Sequence, residues 1–266
     1  MSQADGSILI DTKVDSSGLS SGVVALGNLA STAITKAMSA VKSGVEYATQ
    51  VGTNFDTAMS QLAATMGTTV DQIGNLEAKA KEMGSTTKFT ATEAAEGLNI
   101  LAQSGLTAEE QIASIGTVLN LASAGAIDLS TAAGYTTTTV KGFGDSMDNA
   151  QYYADLMAKG ATLANTSVNE LGTAFSESAA TANAYHQSAD GTTLALLRMA
   201  EGGITGSEAA TGLKRAMQLV YAPTDTAAKA MAELGVSAYD ASGKEKQILR
   251  NIKINEKSYW CPVKIS

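Results

Sequence analysis

The chain has 266 residues, 44% hydrophobic but only 5% aromatic, and two prolines, which excludes collagen-like or proline-rich disordered chains and suits helices better than a β-sandwich. A net charge of −8, with no basic stripe in the main body, argues against the clustered Lys and Arg that a sequence-independent grip on nucleic acid needs. The single cysteine, Cys261, excludes an intrachain disulfide framework and a cysteine-built zinc site, and no run of about 18 apolar residues marks a membrane span.

Met1 to Ile10 lacks a basic region ahead of an apolar stretch, so no secretory signal is expected and synthesis in the cytoplasm is. Residues 7–14, Ser-Ile-Leu-Ile-Asp-Thr-Lys-Val, are β-branched, partly alternating and followed by an Asp-Ser-Ser-Gly cluster, which predicts a strand and turn over 1–17. From 18 to 52 the pattern becomes helical. Val23, Leu26, Ala30, Ile34, Met38, Val41, Val45 and Ala48 recur at three- and four-residue steps, one face of a long amphipathic helix. Its partner is another helix of this chain or the same helix of a second copy, and Val23, Leu26, Ile34, Met38, Val41 and Val45 are the candidate self-association face.

Residues 53–243 read as short helices near 54–65, 69–83, 91–104, 108–124, 129–141, 149–164, 168–185, 191–201, 206–221 and 225–234. Four starts carry a capping box, in which a Ser or Thr side chain takes the N3 amide and the N3 Glu reaches back: Thr90 with Glu93, Thr107 with Glu110, Ser167 with Glu170 and Thr205 with Glu208. Asp128, Asp148 and Asp190 are further N-caps, and Gly84, Gly105, Gly125, Gly142 and Gly235 supply the expected stops. A small strand and turn is expected near 236–243. The class is all-α, with helix-turn-helix units of irregular length and no fixed period.

The last stretch differs. Residues 244–266 hold six basic residues against two acidic ones, a local +4 that leaves −12 for residues 1–243, along with the one Trp, the one Cys and one of the two prolines. It is an atypical basic tail.

Catalytic motifs are sparse. Gly18-Leu19-Ser20-Ser21-Gly22 fits Gly-x-Ser-x-Gly, yet a nucleophile elbow needs a parallel sheet and a placed His and acid, and residues 54–235 offer no such strands. The one histidine, His186, sits at a helix end and cannot build a two- or three-His metal site. Ser39-Ala40-Val41-Lys42 matches Ser-x-x-Lys inside the amphipathic helix, without a Lys-Thr-Gly partner. Gly142-Phe143-Gly144 and Gly202-Gly203 lack the spacing of a phosphate-cradling loop. Of Glu93 with Glu96, and Glu109 with Glu110, the first of each pair lies in a helix first turn, where a solvated carboxylate meets the positive end of the macrodipole. No enzyme, cofactor or metal is expected; the alternatives kept open are a hydrolase using Ser20, a cell-wall lytic enzyme, and a helical adaptor.

Spaced blocks of the sequence resemble a known family. Gly84-Ser85-Thr86-Thr87-Lys88-Phe89-Thr90-Ala91-Thr92-Glu93-Ala94-Ala95-Glu96-Gly97-Leu98, then Leu101-Ala102-Gln103-Ser104-Gly105-Leu106-Thr107, is similar to the core of phage tail tape measure proteins. The likeness runs on through Val118 to Ala122, Asp128-Leu129, Thr166-Ser167-Val168, Gly203 to Leu213, Pro223-Thr224 and Leu234-Gly235-Val236. The opening, Asp5 to Thr12, resembles members from long-tailed phages and prophages of Gram-positive bacteria. The resemblance implies an elongated helical structural protein, present in a few copies in the tail tube lumen, whose length sets the tube built around it. It also implies assembly in the host cytoplasm with tail tube, tail-tip or baseplate and tail assembly chaperone proteins, and exit at DNA ejection. Members run hundreds of residues past the core, and a 266-residue helix would reach only about 400 Å. A product truncated near Gly243, with 244–266 of other origin, is therefore expected.

Overall fold

The structure, a computed structural model, describes the backbone of residues 16–235, 237–240, 242 and 246, and side chains over the same residues from Thr35 onward except Val45. The expected strand at 7–14 and nearly all of the 244–266 tail lie outside the described residues. Contacts divide the chain into two units, Met1–Asn54 and Phe55–Ser266.

Helix α1 runs Ser16–Thr65 without interruption. The separate helices expected at 18–52 and 54–65 are therefore one. Gly52 weakens a helix by about 1 kcal/mol relative to Ala but does not end one. The Thr53 hydroxyl donates to the Thr49 carbonyl at 3.0 Å inside the continuous helix. In the first unit every described side chain from Thr35 to Asn54 is exposed.

The second unit contains the end of α1 and, in order, α2 (Gly74–Thr86), α3 (Ala91–Gln103), α4 (Ala108–Gly125), α5 (Leu129–Gly142), α6 (Ala150–Leu163), α7 (Val168–Ala184), α8 (Ala189–Glu201), α9 (Gly206–Tyr221) and α10 (Asp225–Glu233). Short 3-10 turns, Val70–Ile73 and Met147–Asn149, lead into α2 and α6. Among the described residues there is no strand; near 236–243 Tyr239 makes an isolated bridge, with the Lys246 amide donating to the Ala238 carbonyl at 2.8 Å.

Local capping decides most helix starts. The boxes at Thr90, Thr107 and Ser167 form as expected, and the Asp128 carboxylate accepts from the Thr131 amide at 2.8 Å. Three expected caps fail. Thr205 turns its hydroxyl to Glu170 Oε1 at 3.0 Å instead of capping α9. Ser188 caps α8 ahead of Asp190, and Ser146 caps the turn that contains Asp148. Of the expected stops, Gly105 and Gly235 take left-handed φ values of 75° and 66°. Gly84 is interior to α2, and Gly125 and Gly142 are the last residues of their helices, with the left-handed turn falling to Ala126 and Gly144. The reason is packing. A Cβ on Gly125 would stand 2.8 Å from Val168 Cγ1, and one on Gly142 would stand 2.7 Å from the Ala179 Cβ.

The helices form two rows. α2, α4, α6 and α8 pack successively in one, α3, α5, α7 and α9 in the other. The α5 and α7 helices run parallel, since Tyr135 meets Gly172 and, seven residues further along both, Gly142 meets Ala179. N-caps of the second row fall at Thr90, Asp128, Ser167 and Thr205, every 38 or 39 residues. Counted from each cap, the fourth, fifth and eighth residues are buried in all four helices: Ala94, Ala95 and Leu98; Ala132, Ala133 and Thr136; Leu171, Gly172 and Phe175; Ala209, Ala210 and Leu213. A period therefore exists where the letters alone show none. Alanine is the commonest buried residue, and Phe175, Leu98, Leu101, Ile115, Leu119, Met157 and Leu196 supply the large side chains between the rows.

Candidate functional site

The expected face lies on α1. Met38 and Val41 are 68% and 66% exposed, which leaves their side chains without cover in this chain. Val23, Leu26, Ile34 and Val45 share the same helix, but their side chains lie outside the described residues. The row Met38, Val41, Val45, Ala48 continues at the same alternating steps through Gly52 to Phe55, Met59 and Leu62. Those last three are buried, at 9%, 1% and 0%. One heptad-spaced stripe thus has a covered end, within the second unit, and an uncovered stretch before it. Tyr47 and Val51, 72% and 44% exposed, widen the apolar surface beside the row. The sequence reading passed over them because a strict three-four step selects Ala48 and Gly52, although the i, i+4 pair they make was a signal.

No constellation of catalytic groups comes together on the other sequence candidates. Residues 18–22 are inside α1 and not on a strand-to-helix elbow. Ser39 Oγ donates to the Lys36 carbonyl at 2.8 Å, and Lys42 Nζ lies 3.8 Å from Glu46 Oε1. His186 closes α7 in a left-handed conformation, φ 52°, with its Nδ1 3.4 Å from the Asn183 carbonyl. Glu93 and Glu110 each bond their own cap's amide, at 2.7 and 2.8 Å, while Glu96 and Glu109 are exposed. Among the described residues no three His, Cys, Asp or Glu side chains gather as a metal site would require, and no single helix is long and apolar enough to cross a membrane.

Several perturbed titrating groups sit at helix starts and turns. Three hydrogen bonds from Ser130 and Thr131 hold the Asp128 carboxyl well below the usual range. The Asn149 amide, with the Ser146 amide and the Tyr153 hydroxyl, lowers Asp145. Tyr153 is raised, first by burial and then by that carboxylate. Glu170 is lowered chiefly by the Thr205 hydroxyl, a bond that ties the start of α9 to the start of α7. Asp128 thus caps its own helix, Asp145 ties the turn before α6 to Tyr153 within it, and Glu170 links two helix starts.

A family model described as phage-related minor tail protein matches residues 77–253. A tape measure protein of Pneumococcus phage Dp-1 is 32% identical over 194 residues, 73% of this chain and 17% of the relative. The chain belongs to the phage-related minor tail protein family. A second relative, a probable tape measure protein of Escherichia phage P2, is 25% identical over 210 residues, 78% of this chain and 26% of that relative. The chain spans about a quarter or less of the length of these two relatives. None of the solved structures compared with it gives a match. The family match begins in α2 and so covers the two-row array, whereas the exposed stretch of α1 precedes it.

Proposed function

We propose that this chain is a non-catalytic region of a tail-length ruler, acting in a few copies zipped along α1 and enclosed by the tail tube that polymerises around it. The observation that supports this reading best is the uninterrupted helix Ser16–Thr65 with its uncovered heptad-spaced row at Met38 and Val41. A continuous helix advances about 1.5 Å per residue, so its residue count is a length. An apolar row alternating by three and four residues suits association of like helices side by side. Tail-tube, tail-tip and chaperone proteins are the partners this role implies, with assembly in the host cytoplasm and exit ahead of DNA.

Duplicating residues 18–52, 35 residues or five heptads, keeps the row in register and should lengthen tails of the encoding phage by about 52 Å. Electron microscopy of negatively stained particles measures this. Tails of unchanged length would overturn the reading.

A further inference from the structure

The two units carry length differently, and this inference rests on the ruler reading above. We propose that the helix array from α2 to α9 is nearly neutral in length, while α1 contributes length at every residue. The array repeats every 38 or 39 residues, measured between the N-cap positions Thr90, Asp128, Ser167 and Thr205, of which Thr205 makes no side-chain cap bond. Each second-row helix packs beside the one before it, and the α5–α7 pair shows the positions that meet. Gly172, five residues past its cap, meets Tyr135, seven past the preceding cap; Ala179, twelve past, meets Gly142, fourteen past. Adding or removing a helix pair therefore changes the array by one helix-to-helix spacing of about 10 Å across the rows, and by nothing along the helix axes. Whichever direction lies along the tail, a pair is worth at most about 10 Å. The same residues in a continuous helix are worth about 58 Å, roughly sixfold more.

This property makes separate demands on the two parts of the sequence. In α1 an insertion or deletion is read out as length, provided the heptad row stays in register. In the array it is absorbed sideways, provided the cap and the buried fourth, fifth and eighth positions recur. The array can therefore gain or lose a pair without resetting the ruler.

The test duplicates residues 129–205, two helix pairs or 77 residues, in the full-length gene of the encoding phage, and in a second variant deletes residues 129–167, one pair. Both joins fall one residue after a cap and keep the period. Mean tail length should move by about 20 Å or less in the duplication and about 10 Å or less in the deletion. A shift near 115 Å for the duplication, the value for 77 residues of helix, overturns the proposal but leaves the ruler reading intact. The 18–52 duplication, run beside them, identifies failure of the ruler reading itself, which unchanged tails there would signal. Absence of tails from both array variants, with circular dichroism showing the purified proteins folded, also overturns the proposal, because a length-neutral array tolerates the gain or loss of a pair.

Discussion

Gly172 and Gly134 lie in parallel helices of one row, and the same substitution should act on them with opposite sign. A Cβ on Gly172 would stand 2.4, 2.8 and 2.9 Å from Cδ2, Cε2 and Cγ of Tyr135. Because Cγ is the root of the ring, turning the ring in place does not clear the clash. Moving the ring as a whole strains its hydroxyl, which bonds Asn169 Oδ1 at 2.8 Å and lies 2.8 Å from Thr173 Oγ1. Overpacking of this kind costs about 1–3 kcal/mol, and loss of a hydrogen bond about 1 more. Against this stands the gain of about 1 kcal/mol from replacing a helical Gly by Ala. Gly172→Ala is therefore expected to lose about 1–3 kcal/mol. A Cβ on Gly134 meets nothing within 4 Å, so Gly134→Ala should keep the propensity gain, about 0.5–1 kcal/mol. Urea unfolding followed by far-UV circular dichroism compares the two against the parent. If both variants shift the same way, close helix approach at Gly172 is not what sets the residue there.

Three further outcomes follow from single contacts. Ser167→Ala removes a complete capping box and should cost about 1 kcal/mol, read from the same urea curves, whereas Ser167→Asp should restore most of it. Thr139 is fully buried and its Oγ1 has no hydrogen-bond partner among the described residues, so Thr139→Val should raise stability by about 1 kcal/mol. Asp128, Asp145 and Glu170 all have carboxyls lowered in the folded state. Their stabilisation is thus complete above the unfolded carboxylate range, about pH 4, and is lost as pH falls through the folded values. Urea midpoints should hold from neutral pH to about 5 and then drop, and Asp128→Asn, which keeps a capping oxygen, should make that drop shallower. For α1, Met38→Asp with Val41→Asp should lower the mass measured by light scattering, and a monomer both before and after the change would show that the row does not join copies.

What the sequence exposed and what it hid divide by the range of the interaction. A capping box links residues three apart, so Thr90, Thr107 and Ser167 could be read directly, and the helix starts at 91, 108, 129, 168, 206 and 225 coincide with the observed ones. Thr205 carries the same letters but fails, because Glu170, 35 residues away, offers its hydroxyl a better acceptor. Gly125 and Gly142 were read as left-handed stops, although a neighbouring helix is what excludes their side chains. That neighbour is invisible in a local window. The separation expected between 18–52 and 54–65 does not occur, since Gly52, flanked by helix on both sides, marks only a weak point. The Met38 and Val41 row was legible because it is a property of one helix, whereas its continuation into the buried Phe55, Met59 and Leu62 crosses the boundary expected between 52 and 54.

The repeat was hidden for a different reason, and the reason bears on how the array is built. Its fixed quantity is which positions are enclosed, and the space available there is small and shared between helices. At the eighth position past the cap stand Leu98, Thr136, Phe175 and Leu213, which differ in size, and at the fifth Gly172 makes room for the ring of Tyr135. A partner's bulk thus sets each letter, so equivalent positions need not match in identity. Pairs of this kind should exchange poorly one residue at a time and well as whole units. Swapping Gly172 with the residue at an equivalent position elsewhere breaks a fit, whereas duplicating residues 129–205 carries its own complementary surfaces with it.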